Sequence, residues 1–292
     1  MMRILRWARI GLAGLLAFVA VVTVLGFVVS EAMVRWPHAR ATGVAHAAAD
    51  PAAVERGRRI AEVNGCHGCH GQRFEGSLFH DEPLLLRGWA PNLTLAAARQ
   101  SDAQLDAAIR GGVGVDGRKL WIMPSNAFAH LSDEEAGDLL GYLRTFQPTG
   151  AEQPRFQLGP LARIGVLIGK FMSEFDRIVR SRGQAPLDLG PEYAVGRSLS
   201  RACIECHGAA LKGGDMVDAP DLMVAAAYSP EDFERLLRTG EATGGRILPL
   251  MSSMGPRRLK SWSHEDIAAL RDYLNARAVH EARLAEAGGP RD

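Results

Sequence analysis

Cys66-His67-Gly68-Cys69-His70 recurs as Cys203-Ile204-Glu205-Cys206-His207. The chain has 4 cysteines, and these two stretches contain all of them. None is left over for a disulfide framework. Working outward, Gly57 opens GRRIAEVNGCHGCHG and Gly196 opens GRSLSRACIECHGAA. Pro91-Asn92-Leu93 returns as Pro220-Asp221-Leu222. Ser101-Asp102 leads a helical stretch ending Ile109-Arg110, and Ser229-Pro230 leads one ending Leu237-Arg238. A last helix begins at Ser132 in one copy and Ser263 in the other, each followed three residues later by an acid, Glu135 or Asp266. Only Glu135 fits the strict capping box. The chain is therefore a tandem repeat. Each unit has roughly 90–100 residues, several short helices and little strand signal, so it commands little apolar core of its own.

A Cys-x-x-Cys-His stretch has one economical use. Two thiols three residues apart sit on one helical turn and can each bond one vinyl group of a single haem. The histidine that follows then lies under the iron as an axial ligand. The sequence thus predicts two c-type haems, bound through Cys66, Cys69, Cys203 and Cys206 and ligated by His70 and His207. A thioredoxin-type redox site would need a βαβ pattern, which is missing. A structural zinc site would need a fourth ligand, and none recurs.

A second axial ligand decides what the iron can do. In the first unit Met123 precedes Pro124, ahead of the last helix. In the second, the internal alignment splits. Arg110 with Arg238 and Arg118 with Arg246 share an offset of 128, which carries Met123 onto Met251. Leu131 with Trp262 and Tyr142 with Tyr273 share an offset of 131, which carries it onto Met254. The second unit therefore holds a three-residue insertion beside two candidate ligands. His67, His80, His130, His264 and His280 are read as solvated surface groups. Arg118, Trp121 and Arg246 lie near the ligand segments and could meet haem propionates.

Both units resemble class I cytochrome c domains. The exported chain looks like the membrane-bound dihaem cytochrome c proteins of bacteria. The first unit carries the resemblance through GCHGCHG, PNLT and MPSNAFAHLSDEEAGDLLGYLR. In the second, LPLMSS resembles the family's ligand run, and this implies Met251 as the ligand, with Met254 as the alternative. The resemblance also implies that the Pro91 and Pro220 carbonyls accept the second ring N–H of the two histidines. The implied fold class is mainly α: a transmembrane helix followed by two tandem class I cytochrome c domains.

The remaining sequence sets the location. Arg3, Arg6 and Arg9 precede Ile10 to Ser30, which holds no charged residue. As a helix those 21 residues rise about 31 Å, close to the hydrocarbon thickness. The leading arginines place the N-terminus in the cytoplasm and the units on the periplasmic side of the inner membrane. The rival is a cleaved signal peptide ending near Ser30-Glu31-Ala32. The expected division is an anchor over 1–31, a flexible tether over 32–51, units over 52–147 and 191–280, a linker over 148–190 and a tail over 281–292. Within the linker, Leu161, Ile164, Ile168, Phe171, Phe175 and Ile178 mark one face of an amphipathic helix. That helix is expected to bridge the units, with docking on a partner or on the membrane surface as alternatives.

A net charge of +1 with no long basic run argues against nucleic acid. Together these features predict an electron carrier, or the cytochrome subunit of a dehydrogenase or respiratory complex, without catalysis of its own. Its partners would be a dehydrogenase, a quinol oxidoreductase or a terminal oxidase. The alternative is a dihaem peroxidase, which needs one open haem site.

Overall fold

The computed structural model describes residues 2–37, 42–214, 218–259 and 261–288. α1 (Met2–Arg35) is long and apolar enough to cross a membrane, the one such helix among the described residues. The first unit comprises α2 (Pro51–Val63), α3 (Cys66–His70), β1 (Ser77–Glu82), β2 (Leu86–Ala90), α4 (Leu93–Arg99), α5 (Asp102–Ile109), α6 (Ser125–Phe128) and α7 (Asp133–Arg144). The linker supplies β3 (Gln157–Leu158), α8 (Pro160–Leu167) and α9 (Glu174–Arg180). The second unit follows with α10 (Ala194–Leu199), α11 (Ile204–His207), α12 (Pro230–Thr239), the two-residue strands β4 (Glu241–Ala242) and β5 (Arg246–Ile247), α13 (Pro249–Arg258) and α14 (His264–Glu286).

Each unit is closed by its first and last helices. α2 starts cleanly because the Asp50 carboxylate accepts from the Ala52 amide at 2.9 Å, with Pro51 in the first turn. It crosses α7 at Gly57, where a Cβ would collide with the Asp138 carbonyl. α10 crosses α14 at Gly196, where a Cβ would collide with the Ala269 carbonyl. Asp138 and Ala269 differ by the same 131 positions as Leu131 and Trp262, so the downstream alignment describes this crossing. Both last helices have a full capping box. Ser263 Oγ accepts from the Asp266 amide at 3.1 Å and Asp266 accepts from the Ser263 amide at 2.8 Å, so the shorter acid also reaches.

Three expectations change. The linker is two helices rather than one. Gly169, at φ 71°, stops α8, and the Lys170 and Phe171 amides turn back to the Gly165 carbonyl. Phe171 then packs on Trp121, ring centroids 5.6 Å apart. Part of the segment expected as a flexible tether is packed instead. The Val44 and Ala45 amides donate to Asp106, the Ala47 amide to Asp102, and the Ala48 amide to the Gly137 carbonyl. Finally, a small antiparallel sheet ordered β1-β2-β3 ties the first unit to the linker, with Leu86 opposite Leu158.

The units share one apolar core. A second cluster joins Val34 near the end of α1 to Trp121, Leu158, Ala162 and Val166. Hydrogen bonds also cross between the units. Trp262 Nε1 donates to the Val63 carbonyl at 2.9 Å and Ser261 Oγ to the Glu62 carbonyl at 3.0 Å. Each capping-box acid is gripped by an arginine of the other unit: Asp266 by Arg59, and Glu135 by Arg201.

Candidate functional site

The two cysteine-histidine stretches fold as short helical turns, α3 and the turn ending in α11. A positive-φ glycine follows each histidine, Gly71 and Gly208. His70 and His207 are both buried. His70 Nδ1 lies 2.9 Å from the Pro91 carbonyl, and His207 Nδ1 lies 2.8 Å from the Pro220 carbonyl. A carbonyl can only accept, so Nδ1 carries the proton and Nε2 keeps its lone pair. Burial pushes both imidazoles below their ordinary range, which favours this neutral, ligand-ready form. The four thiols form no disulfide. Burial, with Cys69 close by, pushes the Cys66 thiol up to about 12.

The loop that presents each carbonyl is clamped from one side. In the first unit Asn92 is buried and does the clamping. Its amide donates to the Thr149 carbonyl at 2.7 Å, and its oxygen accepts from the Thr94 amide at 3.0 Å and the Thr94 hydroxyl at 2.7 Å. In the second unit Arg277 of α14, only 1% exposed, reaches Asp221 at 2.9 Å. Pro-Asn-Leu and Pro-Asp-Leu stand out in the sequence, but the two clamps do not. The Asn-to-Asp change was the available signal, because a carboxylate at that place can pair with a buried cation, here Arg277.

Met123 is half-buried and packs, like Cys66, against the shared core; Met251 and Cys203 do the same in the second unit. Their settings differ. Met123 lies in a loop two residues before the single turn α6. Met251 lies inside the ten-residue α13, where the loop-borne pattern of the first unit predicted none. α13 is seated on α12: a Cβ at Gly240 would collide with Ser252, and one at Gly255 would press on the Leu237 carbonyl. Met254 follows one turn later on α13, and its side chain lies outside the described residues.

The other predicted groups separate. Trp121 is buried with no hydrogen-bond acceptor for its indole N–H among the described residues, and it packs with Leu158, Ala162 and Val166. Arg118 is instead held by Asp116, and Arg246 is exposed on β5. His67 stacks on Phe74 at 4.4 Å, and the exposed His264 bonds Glu234 at 2.9 Å. His130 is half-buried beside Arg201 and Arg197. His80 is part-exposed and lies 3.8 Å from Glu82, and His280 is half-buried on α14. Among the described residues no group of three or more His, Cys, Asp or Glu is placed to hold a bare metal ion.

Residues 54–147 match the family model described as cytochrome c. This segment is a cytochrome c domain. It carries covalently bound c-type haem with iron. The residues fit that group: two thiols on one turn, a buried imidazole with a free lone pair, and an apolar wall that includes Met123. Three curated relatives cover most of the chain. A subunit of the nicotinate dehydrogenase of Pseudomonas putida is 26% identical over 82% of this chain and 22% of its own length. The cytochrome c subunits of alcohol dehydrogenase (quinone) from Gluconacetobacter polyoxogenes and Komagataeibacter europaeus are each 22% identical over 78% of this chain and 56% of their own length. The chain thus spans about a quarter to a half of the relatives it matches. Their alignments extend well beyond the cytochrome c domain, into the second unit.

The two units meet beside segments that flank the candidate ligands. α11 and the turn before it pack on α6, which follows Met123 of the cytochrome c domain. Trp262 of the second unit bonds Val63, three residues before Cys66.

Proposed function

We propose that this chain carries two haems, one per unit, and passes electrons one at a time as the cytochrome subunit of a membrane-bound dehydrogenase. Its units would stand on the periplasmic side of the inner membrane, anchored by α1. The observation that carries this reading is the repeated His–carbonyl geometry, 2.9 Å at Pro91 and 2.8 Å at Pro220, at matching places in two units packed face to face. Each bound haem supplies one-electron exchange between ferric and ferrous iron. The protein's share is to hold the ring. Cys66 and Cys69, or Cys203 and Cys206, fix it covalently. His70 or His207, oriented by its proline carbonyl, would ligate the iron, with Met123 or Met251 as the second ligand. With both ligands in place the iron would have no site for substrate and a raised potential. Direct contact between the units would let electrons pass from one site to the other, so one unit could face the donor and the other the acceptor. The names of the three relatives support a dehydrogenase as the partner.

A redox titration of the full chain in detergent should resolve two one-electron steps, and the reduced protein should bind carbon monoxide slowly at both irons. Rapid binding at one iron would instead favour the dihaem peroxidase, which needs an open sixth position.

A further inference from the structure

The linker helix α8 carries its apolar residues in an unusual place. Ala162 and Val166 are buried against Trp121 and Leu158. Leu161, Ile164, Leu167 and Ile168 are exposed. The hairpin turn between β1 and β2 adds two more exposed leucines, Leu84 and Leu85. The turn is joined to α8 by backbone hydrogen bonds, Gly159 N–H to the Leu85 carbonyl at 2.8 Å and Leu161 N–H to the Leu84 carbonyl at 3.1 Å. The six side chains therefore belong to one rigid apolar face. Faces of this kind mark interaction sites in soluble domains.

What covers the face follows from where α8 is fixed. Arg163 pins it to α1. Its guanidinium lies 4.0 Å over the Phe27 ring, pairs with Glu31 at 2.7 Å and donates to Ser30 Oγ at 3.1 Å. One turn further along, Leu167 Cδ1 stands 3.5 Å from where a Gly26 Cβ would be. Gly26 is four residues inside the uncharged run that ends at Ser30. At 1.5 Å per residue that is a depth of about 6 Å below the polar end of the span. Amphipathic helices that lie in a membrane interface bury their apolar face about 5–10 Å into the headgroup–acyl boundary. Arg163 matches the pattern of a long cation that lays its stem on apolar surface and turns its head to polar partners. Lys170, just past Ile168, is exposed.

We infer that α8 and the 84–85 turn form a second membrane contact, a monotopic face that rests in the outer leaflet beside α1 and fixes the tilt of the first unit against the bilayer. The inference rests on the reading of α1 as a membrane span, and the following experiment separates the two. The full holoprotein is reconstituted in phosphatidylcholine vesicles that carry a photoreactive diazirine on one acyl chain. It is then irradiated, digested and mapped by mass spectrometry. Lipid adducts are expected on the peptides containing 84–85 and 161–168 as well as on α1. Adducts on α1 alone would overturn the inference and leave the anchor standing; that result would assign the face to a protein partner. No adducts on α1 would overturn the anchor and the inference with it. A double variant, Ile164→Glu with Ile168→Glu, changes only exposed side chains. It should lose the α8 adducts and keep those of α1, with an unchanged haem spectrum. Retained α8 adducts in that variant would also contradict the inference.

Discussion

The two units solve the same problem with different chemistry. Each must hold a proline carbonyl about 2.9 Å from a histidine ring nitrogen. The first uses a neutral amide, Asn92, bonded to the chain leaving the unit at Thr149. The second uses an ion pair, Asp221 with Arg277, which the longer α14 supplies. A second pair of matched positions differs in the same sense. Asp106 of α5 and Arg110 just past its end occupy the places of Glu234 and Arg238 of α12. Asp106 is buried and also receives the Val44 and Ala45 amides, so it fastens the entering chain to the unit. Glu234 is half-buried and bonds His264 at the start of α14. Matched geometry does not require matched residues, provided each buried polar group finds a partner.

The largest expected difference lies at the axial methionines. Met123→Ala should abolish methionine ligation at the first site alone and Met251→Ala at the second alone, each seen as loss of part of the ferric methionine–iron absorption. Each should also lower one potential by on the order of 100 mV, within the roughly 0.8 V that axial ligands control. An unchanged spectrum in Met251→Ala would transfer the role to Met254.

The clamps come next. Arg277→Leu should destabilise the second unit by about 2–3 kcal/mol, below the roughly 3–5 expected of a fully buried pair because Asp221 reaches solvent. Asn92→Ala should cost the first unit about 1–3 kcal/mol through its unmade hydrogen bonds. Denaturant melts followed at each site's histidine–iron absorption would check both. Equal effects of the two variants at the two sites would mean that the clamps do not act locally.

The smallest effect is on pH dependence. Burial pushes the Asp106 carboxyl up, but Arg110 and the Ala45 and Val44 amides outweigh it and hold it below the ordinary range. A folded value below the unfolded one stabilises the fold above the ordinary aspartate value, about 3.9. That contribution drains away as pH falls through the lower folded value. The gap in unfolding midpoint between the wild type and Asp106→Asn should therefore be widest at neutral pH and shrink below about pH 4. The His264 hydrogen bond likewise lowers Glu234, but in a solvated setting, so Glu234→Gln should give a flatter difference. A gap for Asp106→Asn that does not change with pH would contradict this account.

Much of this plan was legible in the chain itself because its signals are local. A Cys-x-x-Cys-His turn and a Ser-x-x-Glu cap each lie within a few residues. What escaped depends on distant partners. Ala45 and Ala47 look like tether residues until Asp106 and Asp102 are brought to them. Arg277 looks like a surface charge on a helix until Asp221, 56 residues earlier, folds against it. The linker helix was legible as apolar, but Gly169 breaks it, and only packing reveals that its two halves serve different neighbours, α1 for α8 and α6 for α9. The three-residue insertion was visible by counting. That it lengthens a helix rather than a loop was not, since Pro249 opens α13 and Pro256 lies inside it.

The central claim is that each unit holds its own haem. Intact-mass spectrometry of the purified holoprotein tests it most directly. The mass should exceed that of the polypeptide by two haem groups, and by one in the double variant Cys203→Ala with Cys206→Ala. A single haem in the wild type, or a mass unaffected by the double variant, would contradict it.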